Sequence, residues 1–253
     1  MSSVKFNIVD YLTIESLEDG LEVYFSNDIE YGIDGEGWRK LTAFKTIKID
    51  TGQTVSFRGN LKPSYTNGIG TFNVTKNFNL KGTAMSMLFG DQGKDNFSLI
   101  GYDSVFYTLF QNCSTLKSIA SNFLPATTLA DYCYESMFSG CSSLTTAPTL
   151  PATTLANYCY NGMFQNCKSL TTAPALPATT LADDCYIYMF QNCSKLNYIK
   201  AMFTTTPSSY YTGYWVRGVA STGTFVKNPE ATWDVVGDSG VPEGWTVKFD
   251  GEE

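Results

Sequence analysis

The most constraining feature of this chain is a long phrase that is repeated along its middle. The phrase begins Leu-Pro-Ala-Thr-Thr-Leu-Ala, and its evenly spaced prolines, Pro125, Pro151 and Pro177, define a 26-residue period. A divergent copy precedes these three, because residues 106–113 match residues 134–141 at an offset of 28. Sequence repeats of this length stack as successive units, each burying its apolar face against its neighbours. We therefore expect residues one repeat apart to lie side by side.

Each repeat is expected to contain a short helix and a short extended segment. In residues 129–138 the apolar side chains recur at every fourth position, which is typical of one face of an amphipathic helix. The two neighbouring apolar tracks are Leu129, Cys133 and Met137, and Ala130, Tyr134 and Phe138. Gly140 is expected to end the helix, because glycine is common just past a helix C-terminus. Residues 144–150 are expected to be extended, with Pro148 interrupting the strand because proline has no backbone N–H.

The chain divides by sequence character into three predicted regions. Residues 1–82 contain short β-forming runs separated by turns such as Asp19-Gly20, and they predict an immunoglobulin-like β-sandwich domain. The runs are residues 12–15, 21–25, 29–33, 46–49 and 54–58, and residues 72–80 are expected to add one or two more. Residues 83–205 hold the repeats, and residues 206–253 predict a β-rich C-terminal cap that contains three tryptophans. The predicted fold class is therefore α+β, with a β-sandwich followed by a short solenoid of 26-residue coils and a cap.

The phrase shared by the repeats carries a family resemblance. The phrase Met-Phe-x-x-Cys-x-x-Leu-x-x-Ala-Pro-x-Leu-Pro-Ala-Thr-Thr-Leu-Ala resembles the BspA-like leucine-rich repeats of gut Bacteroidales and of phages of those bacteria, over about residues 106–201. The chain departs from the shorter repeat of that family by an extra proline in the extended segment. The resemblance implies an arc of stacked leucine-rich coils that binds other proteins or surface polymers, without catalysis and without a cofactor.

Composition argues against catalysis and against a nucleic-acid partner. The chain has no histidine, so it lacks the usual general base at neutral pH. Its formal net charge is −7, and it has no cluster of Lys and Arg to bind phosphates. Ser239 lies within Gly-Asp-Ser-Gly, which is expected to be a turn because no base is present to activate the serine. The carboxylates Asp28, Glu30, Asp34 and Glu36 are the alternative acid–base candidates, but Asp34-Gly35-Glu36 is typical of a solvated hairpin tip. No catalytic, cofactor-binding or metal-binding residue is predicted.

The seven cysteines follow the repeat period. Two series are one repeat apart along the chain, namely Cys133, Cys159 and Cys185, and Cys141, Cys167 and Cys193. Because stacked repeats place equivalent residues side by side, we expect two buried structural ladders of small thiol side chains. Disulfides between coils and a metal site are the alternatives, although the nearest spacing, as between Cys133 and Cys141, is wider than the Cys-x-x-Cys pairs of zinc sites.

Three tyrosines are the candidate binding residues. Tyr132 and Tyr158 fall on the outward face of the expected helix, in line with each other, and Tyr188 takes the position of Ser136 in a later repeat. Exposed tyrosine rings stack on sugar rings or partner side chains at a low entropic cost. The alternative is that they are ordinary surface residues of a tyrosine-rich protein.

These observations predict a non-catalytic binding or structural protein. The favoured interpretation is a phage virion component, such as a fibre, decoration or host-attachment protein, that contacts other virion proteins through its N-terminal domain. The alternative is a bacterial cell-surface adhesin that binds a host protein or glycan, and self-association into a homo-oligomer is also left open. Residues 1–10 are not expected to be a signal peptide. No stretch reaches the length of about 20 apolar residues that a membrane helix needs, so no membrane insertion is expected.

Overall fold

The structure is a computed structural model that describes residue 7, residues 10–64 and residues 66–252 of the 253-residue chain. The expectation about a signal peptide in residues 1–10 therefore falls almost entirely outside the described residues. Within the described part no helix is long and apolar enough to cross a membrane.

The part of the chain that ends at Lys81 forms eight short strands. They are β1 (Leu12–Ser16), β2 (Leu21–Phe25), β3 (Ile29–Ile33), β4 (Glu36–Leu41), β5 (Ile47–Ile49), β6 (Thr54–Arg58), β7 (Phe72–Val74) and β8 (Phe78–Lys81). Alternation of buried and half-exposed side chains produces them, as in β2, where Leu21, Val23 and Phe25 are buried. The predicted runs at residues 21–25, 29–33 and 54–58 are confirmed as strands with the same bounds.

These strands belong to two sheets that share one core. One sheet has the order β5-β2-β7, and the other contains β4-β3-β6-β1-β8 with antiparallel neighbours. The ring of Phe72 in β7 lies 4.5 Å from that of Phe25 and 4.9 Å from that of Phe57 in the opposite sheet, measured between ring centroids. Inward apolar side chains therefore hold the two sheets together.

A parallel strand connects this region to the repeats. After the single-turn helix α1 (Ser86–Phe89) and a 3₁₀ turn at Gly90–Asp95, strand β9 (Leu116–Ile119) pairs in parallel with β8 and becomes the sixth strand of its sheet. A second 3₁₀ turn follows at Ser121–Phe123. The division predicted at residue 82 thus falls between two hydrogen-bonded strands.

The predicted fold class, α+β with a leucine-rich-repeat solenoid, is wrong. The described residues are mostly β, in three sheets, and the closed coils of a leucine-rich-repeat solenoid are not seen. In place of the helix expected over residues 129–138, residues 131–140 form a run of consecutive turns. Every fourth residue in this run is left-handed, with φ of 59° at Tyr132, 53° at Ser136 and 79° at Gly140. A turn that closes at every fourth residue gives the same apolar spacing as a helix, and this explains the error.

Hydrogen bonds between successive turn runs join them into what we call the repeat stack, residues 99–217, and most of them run from an amide to the carbonyl that precedes the equivalent residue of the next repeat. Alternate amides donate to the next repeat: Tyr134 N–H to Cys159 O at 3.1 Å and Phe138 N–H to Met163 O at 3.0 Å. The amides between them donate within their own repeat, as Met137 does to Tyr134 O at 3.2 Å. Nearly every backbone group in the run thereby finds a partner, which a buried backbone requires.

The C-terminal residues continue the stack as a third sheet. Strands β10 (Tyr198–Ala201), β11 (Thr224–Lys227) and β12 (Thr246–Phe249) are parallel and in that order, with the short helix α2 (Ser209–Thr212) between the first two. Trp215, Trp233 and Trp245 are buried, and each indole N–H donates to a backbone carbonyl, at 2.9, 3.1 and 2.7 Å respectively. The ring of Trp215 also contacts those of Tyr186 and Phe190, with centroids 6.2 Å apart in each case, so the described part of the cap region, predicted at residues 206–253, is packed directly onto the last repeats.

Candidate functional site

Two columns of aromatic rings form the inside of the repeat stack and fix its spacing. Phe106, Tyr134, Tyr160 and Tyr186 lie 5.7, 5.8 and 6.0 Å apart in turn. Phe110, Phe138, Phe164 and Phe190 lie 5.9, 5.8 and 5.9 Å apart. All eight rings are buried and nearly parallel to their neighbours within each column. A core stacked in this way makes the outer surface of the repeats rigid.

The structure places all seven cysteines in this core, and none forms a disulfide. The series Cys133, Cys159 and Cys185 lies beside the tyrosine column, and the series Cys141, Cys167 and Cys193 lies beside the phenylalanine column. In the second series each thiol lies close to a carbonyl of the preceding repeat, with Cys167 Sγ 3.3 Å from Phe138 O and Cys193 Sγ 3.0 Å from Phe164 O. The described residues contain no group of three or more metal-ligating side chains.

Burial keeps these thiols protonated. It raises the pKa of Cys133 and of Cys193 to about 12, and it raises the pKa of Cys159 well above the ordinary thiol value. A thiol is nucleophilic and metal-binding only as the thiolate. The cysteines are therefore chemically quiet in the folded chain.

The candidate tyrosines lie on the outer side of the repeat stack. Tyr132 and Tyr158 are half-buried, and their rings stack on each other with centroids 4.5 Å apart and an interplanar angle of 11°. Tyr188 is exposed. It occupies the left-handed position that follows Asp184, and Asp184 is the equivalent of Tyr158 in the next repeat. The structure brings Tyr132 and Tyr158 into direct contact, while Tyr188 pairs with a different residue.

That residue is Tyr214, which the sequence reasoning missed. The rings of Tyr188 and Tyr214 are parallel, 5.9 Å apart, and Tyr214 is also exposed. Tyr210, another exposed ring, follows Asp184 by one 26-residue period, and its carbonyl accepts a hydrogen bond from the amide of Asp184 at 2.9 Å. The 26-residue spacing could have identified Tyr214, since it follows Tyr188 by one repeat. The recognisable repeated phrase, however, ends before Tyr214. We call the set Tyr132, Tyr158, Tyr188, Tyr210 and Tyr214 the tyrosine face.

Carboxylates lie beside these rings. A hydrogen bond to Asp184 raises the pKa of Tyr158 to about 12, and the nearby charge of Asp183 raises the pKa of Tyr210. Asp131 accepts a hydrogen bond from the amide of Asn157 at 3.0 Å and so holds two repeats together. The tyrosine face is therefore aromatic and acidic, which suits a neutral or basic partner surface better than an acidic one.

Several residues of the tyrosine face are held in an unfavourable backbone conformation. Tyr132, Tyr158, Tyr188 and Tyr214 have φ between 54° and 59°, where bulky residues are rare. Other left-handed positions of the turn runs are occupied by Gly140, Gly162 and Asn166, and glycine and asparagine tolerate a positive φ well. The interrepeat hydrogen bonds impose the conformation on the tyrosines, so the direction in which each side chain leaves the backbone is fixed.

The other candidates from the sequence have structural roles. Glu30 forms an ion pair with Arg58 at 2.9 Å, and Asp34 accepts a hydrogen bond from Thr54 N–H at 2.8 Å in the turn between β3 and β4. Asp28 accepts from Ala43 N–H at 2.8 Å. Ser239 lies in a turn closed by a hydrogen bond from Gly240 N–H to Gly237 O at 3.0 Å, as expected. Glu36 is exposed at the start of β4.

Comparison with known proteins leaves the family open. No family model, no curated protein and no solved structure matches this chain. The likeness to BspA-like repeats therefore rests on the repeated phrase alone.

Proposed function

We propose that this chain is a non-catalytic binding protein that presents the tyrosine face to a protein or glycan on a cell surface. The observation that carries the proposal is the pair of stacked rings, Tyr132 with Tyr158, held outward on a rigid backbone. Rings fixed before binding lose little conformational entropy when a partner is bound. Aromatic side chains of this kind contribute a large share of the energy at binding surfaces.

A phage virion is the proposed location, with a bacterial cell surface as the alternative. The support for both is the repeated phrase, which resembles proteins of gut Bacteroidales and their phages. On a particle or a cell many copies act together, so a weak single contact still gives firm attachment. In the virion arrangement the β-strand region, residues 10–81, would contact other virion proteins and leave the repeats facing outward.

The binding proposal is tested by measuring how much purified chain Bacteroidales cells retain. The variant Tyr132→Asn with Tyr158→Asn removes both rings, and asparagine tolerates their left-handed backbone. We expect retention to fall about tenfold, as loss of one or two aromatic contacts predicts. Tyr24→Ala, on the half-exposed side of β2, is the matched control and should bind as the unaltered chain does. Equal retention of the double variant and the unaltered chain would refute the role of the tyrosine face.

The location is tested separately by mass spectrometry of fractions from a producing culture. Stoichiometric presence in purified phage particles is the expected result. Recovery only in the cell envelope would overturn the virion proposal and favour the adhesin.

A further inference from the structure

A cleft in the β-strand region contains an exposed aromatic ring that nothing in the described chain covers. The cleft has a volume of about 530 Å³, which is within the usual range of small-molecule sites. It lies where the loop between β4 and β5 faces the segment before β7, against the first repeat. Its main side chains are those of Phe44, Asn27, Lys62, Ser64, Asn67 and Thr108.

Phe44 is unusual in two respects. Its side chain is 68% exposed, although it is a large apolar ring. Its backbone is left-handed, with φ of 61°, a genuine outlier for a bulky residue. The left-handed backbone has a cost in free energy, and the exposed ring gains little from burial within the described chain to offset it. Such costs are concentrated at sites that bind or react.

Hydrogen bonds hold the loop of Phe44 in this conformation. Phe44 N–H donates to Phe25 O at 2.9 Å, and Lys45 N–H donates to Thr42 O at 3.1 Å. Ala43 N–H donates to Asp28 Oδ1 at 2.8 Å. The backbone that carries the ring is therefore held in place before any ligand arrives, which lowers the entropic cost of binding.

Glycines shape the opposite wall of the cleft. Gly70 has φ of 114°, and a Cβ atom there would come within 2.5 Å of Ser26 Oγ and 3.0 Å of Asn27 Nδ2. At Gly68 a Cβ atom would come within 2.7 Å of Ser104 O in the first repeat. The absence of a side chain at Gly68 lets this wall approach the first repeat closely, and the absence of one at Gly70 leaves room for the side chains of Ser26 and Asn27.

The polar groups of the cleft are neutral, apart from one lysine. Asn27 donates one amide N–H to Ile69 O at 2.8 Å, and its side-chain oxygen has no partner among the described residues. Lys62 is the charged side chain among the described residues that line the cleft, and it forms no ion pair with any of them. A flat apolar ring beside amides, hydroxyls and a cation matches a ligand with an apolar ring face, hydroxyl groups at its rim and a negative charge.

We propose that this cleft binds an acidic saccharide, with one sugar ring stacked on Phe44 and its carboxylate paired with Lys62. The site is distinct from the tyrosine face and does not depend on it. It gives the β-strand region a binding activity of its own.

Saturation-transfer NMR on the full chain tests this with three probes, the trisaccharides of galacturonic acid, galactose and N-acetylglucosamine at millimolar concentration. We expect the galacturonate trimer to bind tightest. Phe44→Asn should weaken its binding about tenfold through loss of the stacked ring, without a lower melting temperature, because asparagine tolerates the left-handed backbone. Lys62→Gln should reduce the affinity for galacturonate to that for galactose.

The matched control is Phe97→Ser, because Phe97 is 50% exposed but does not line the cleft. This variant should bind the galacturonate trimer as the unaltered chain does. Failure of all three trisaccharides to bind, or binding that Phe44→Asn leaves unchanged, would overturn the proposal. Equal affinity for galacturonate and galactose would overturn the assignment of Lys62.

Discussion

Removal of the Tyr134 hydroxyl is expected to stabilise the protein. This oxygen is fully buried in the inner tyrosine column and has no hydrogen-bond partner in the described structure. In the unfolded chain the same hydroxyl is hydrated, so folding leaves its hydrogen bonds unsatisfied. The first repeat already has phenylalanine, Phe106, at the equivalent position, stacked 5.7 Å from Tyr134. The column therefore accepts a ring without the hydroxyl.

The size of the effect follows from two opposing contributions. An unsatisfied buried polar group costs about 1–3 kcal/mol, and a void of about the size of a methyl group costs about 1 kcal/mol. Tyr134→Phe is therefore expected to raise the free energy of unfolding by about 1 kcal/mol. For a chain of this length that corresponds to an increase of roughly 2–4 °C in melting temperature.

Urea unfolding followed by tryptophan fluorescence measures this difference. The midpoint should rise and the slope m should stay the same, since the buried area hardly changes. Tyr214→Phe is the control, because its hydroxyl is on an exposed side chain and its removal should change the free energy of unfolding by less than about 0.5 kcal/mol. A lower midpoint for Tyr134→Phe would show that the hydroxyl has a stabilising partner, such as a buried water, and would refute the reasoning.

Three further outcomes are expected. Cys159→Ser places a hydroxyl in the dry core and should cost about 1–3 kcal/mol, so an unchanged melting temperature would argue against a buried cysteine ladder. Iodoacetamide at mildly alkaline pH should label none of the seven cysteines in the folded chain and all of them in urea. Burial is the reason, because it raises the pKa of these thiols, to about 12 at Cys193. Rapid labelling of the folded chain would contradict this prediction. Burial also raises the pKa of Glu135 to about 7 from 4.5. Between these two pH values the folded state holds a proton that the unfolded chain releases. The free energy of unfolding therefore falls as the pH rises. This decrease amounts to roughly 1 kcal/mol after allowance for solvent screening, and Glu135→Gln should abolish it. Melting curves recorded from about pH 5 to about pH 8 measure it, and a variant with the same pH profile as the unaltered chain would contradict the assignment.

The strands that precede the repeats, up to Lys81, were largely predictable because their burial alternates. Strand β2 shows this clearly, with Leu21, Val23 and Phe25 inward and Glu22 and Tyr24 outward. Strand β4 was missed because it lies at the edge of its sheet, and of its six residues only Leu41 is buried. An edge strand exposed on both faces leaves no alternating apolar signal.

The repeats show where periodicity alone is ambiguous. Apolar residues at every fourth position, such as Cys133 and Met137, fit a helix and also fit a series of turns that close at the same interval. Glycine and asparagine at the left-handed positions, as at Gly162 and Asn166, were the available evidence for turns. Tyr132 and Tyr158 occupy the same positions and hid that signal, since tyrosine rarely adopts this conformation.

The proposed binding surfaces could be predicted from the sequence only where the 26-residue period extends to them. Tyr132 and Tyr158 could be aligned from the repeat, whereas Tyr214 lies beyond the recognisable phrase. The cleft at Phe44 joins Asn27, Phe44, Asn67 and Thr108, and no local pattern links segments so far apart in the chain. Its recognition required the backbone angle and the exposure of one side chain.

The regular hydrogen bonds between repeats also allow the length of this protein to change during evolution by whole repeats. Ring centroids one repeat apart are 5.8 and 5.9 Å apart in the two inner columns, so each unit adds a nearly constant step. Recombination between near-identical gene segments that adds or deletes one 26-residue unit would restore the same donors, acceptors and ring contacts at the new junction. The reach of the molecule can therefore evolve in discrete steps of about 6 Å, while both ends remain unchanged.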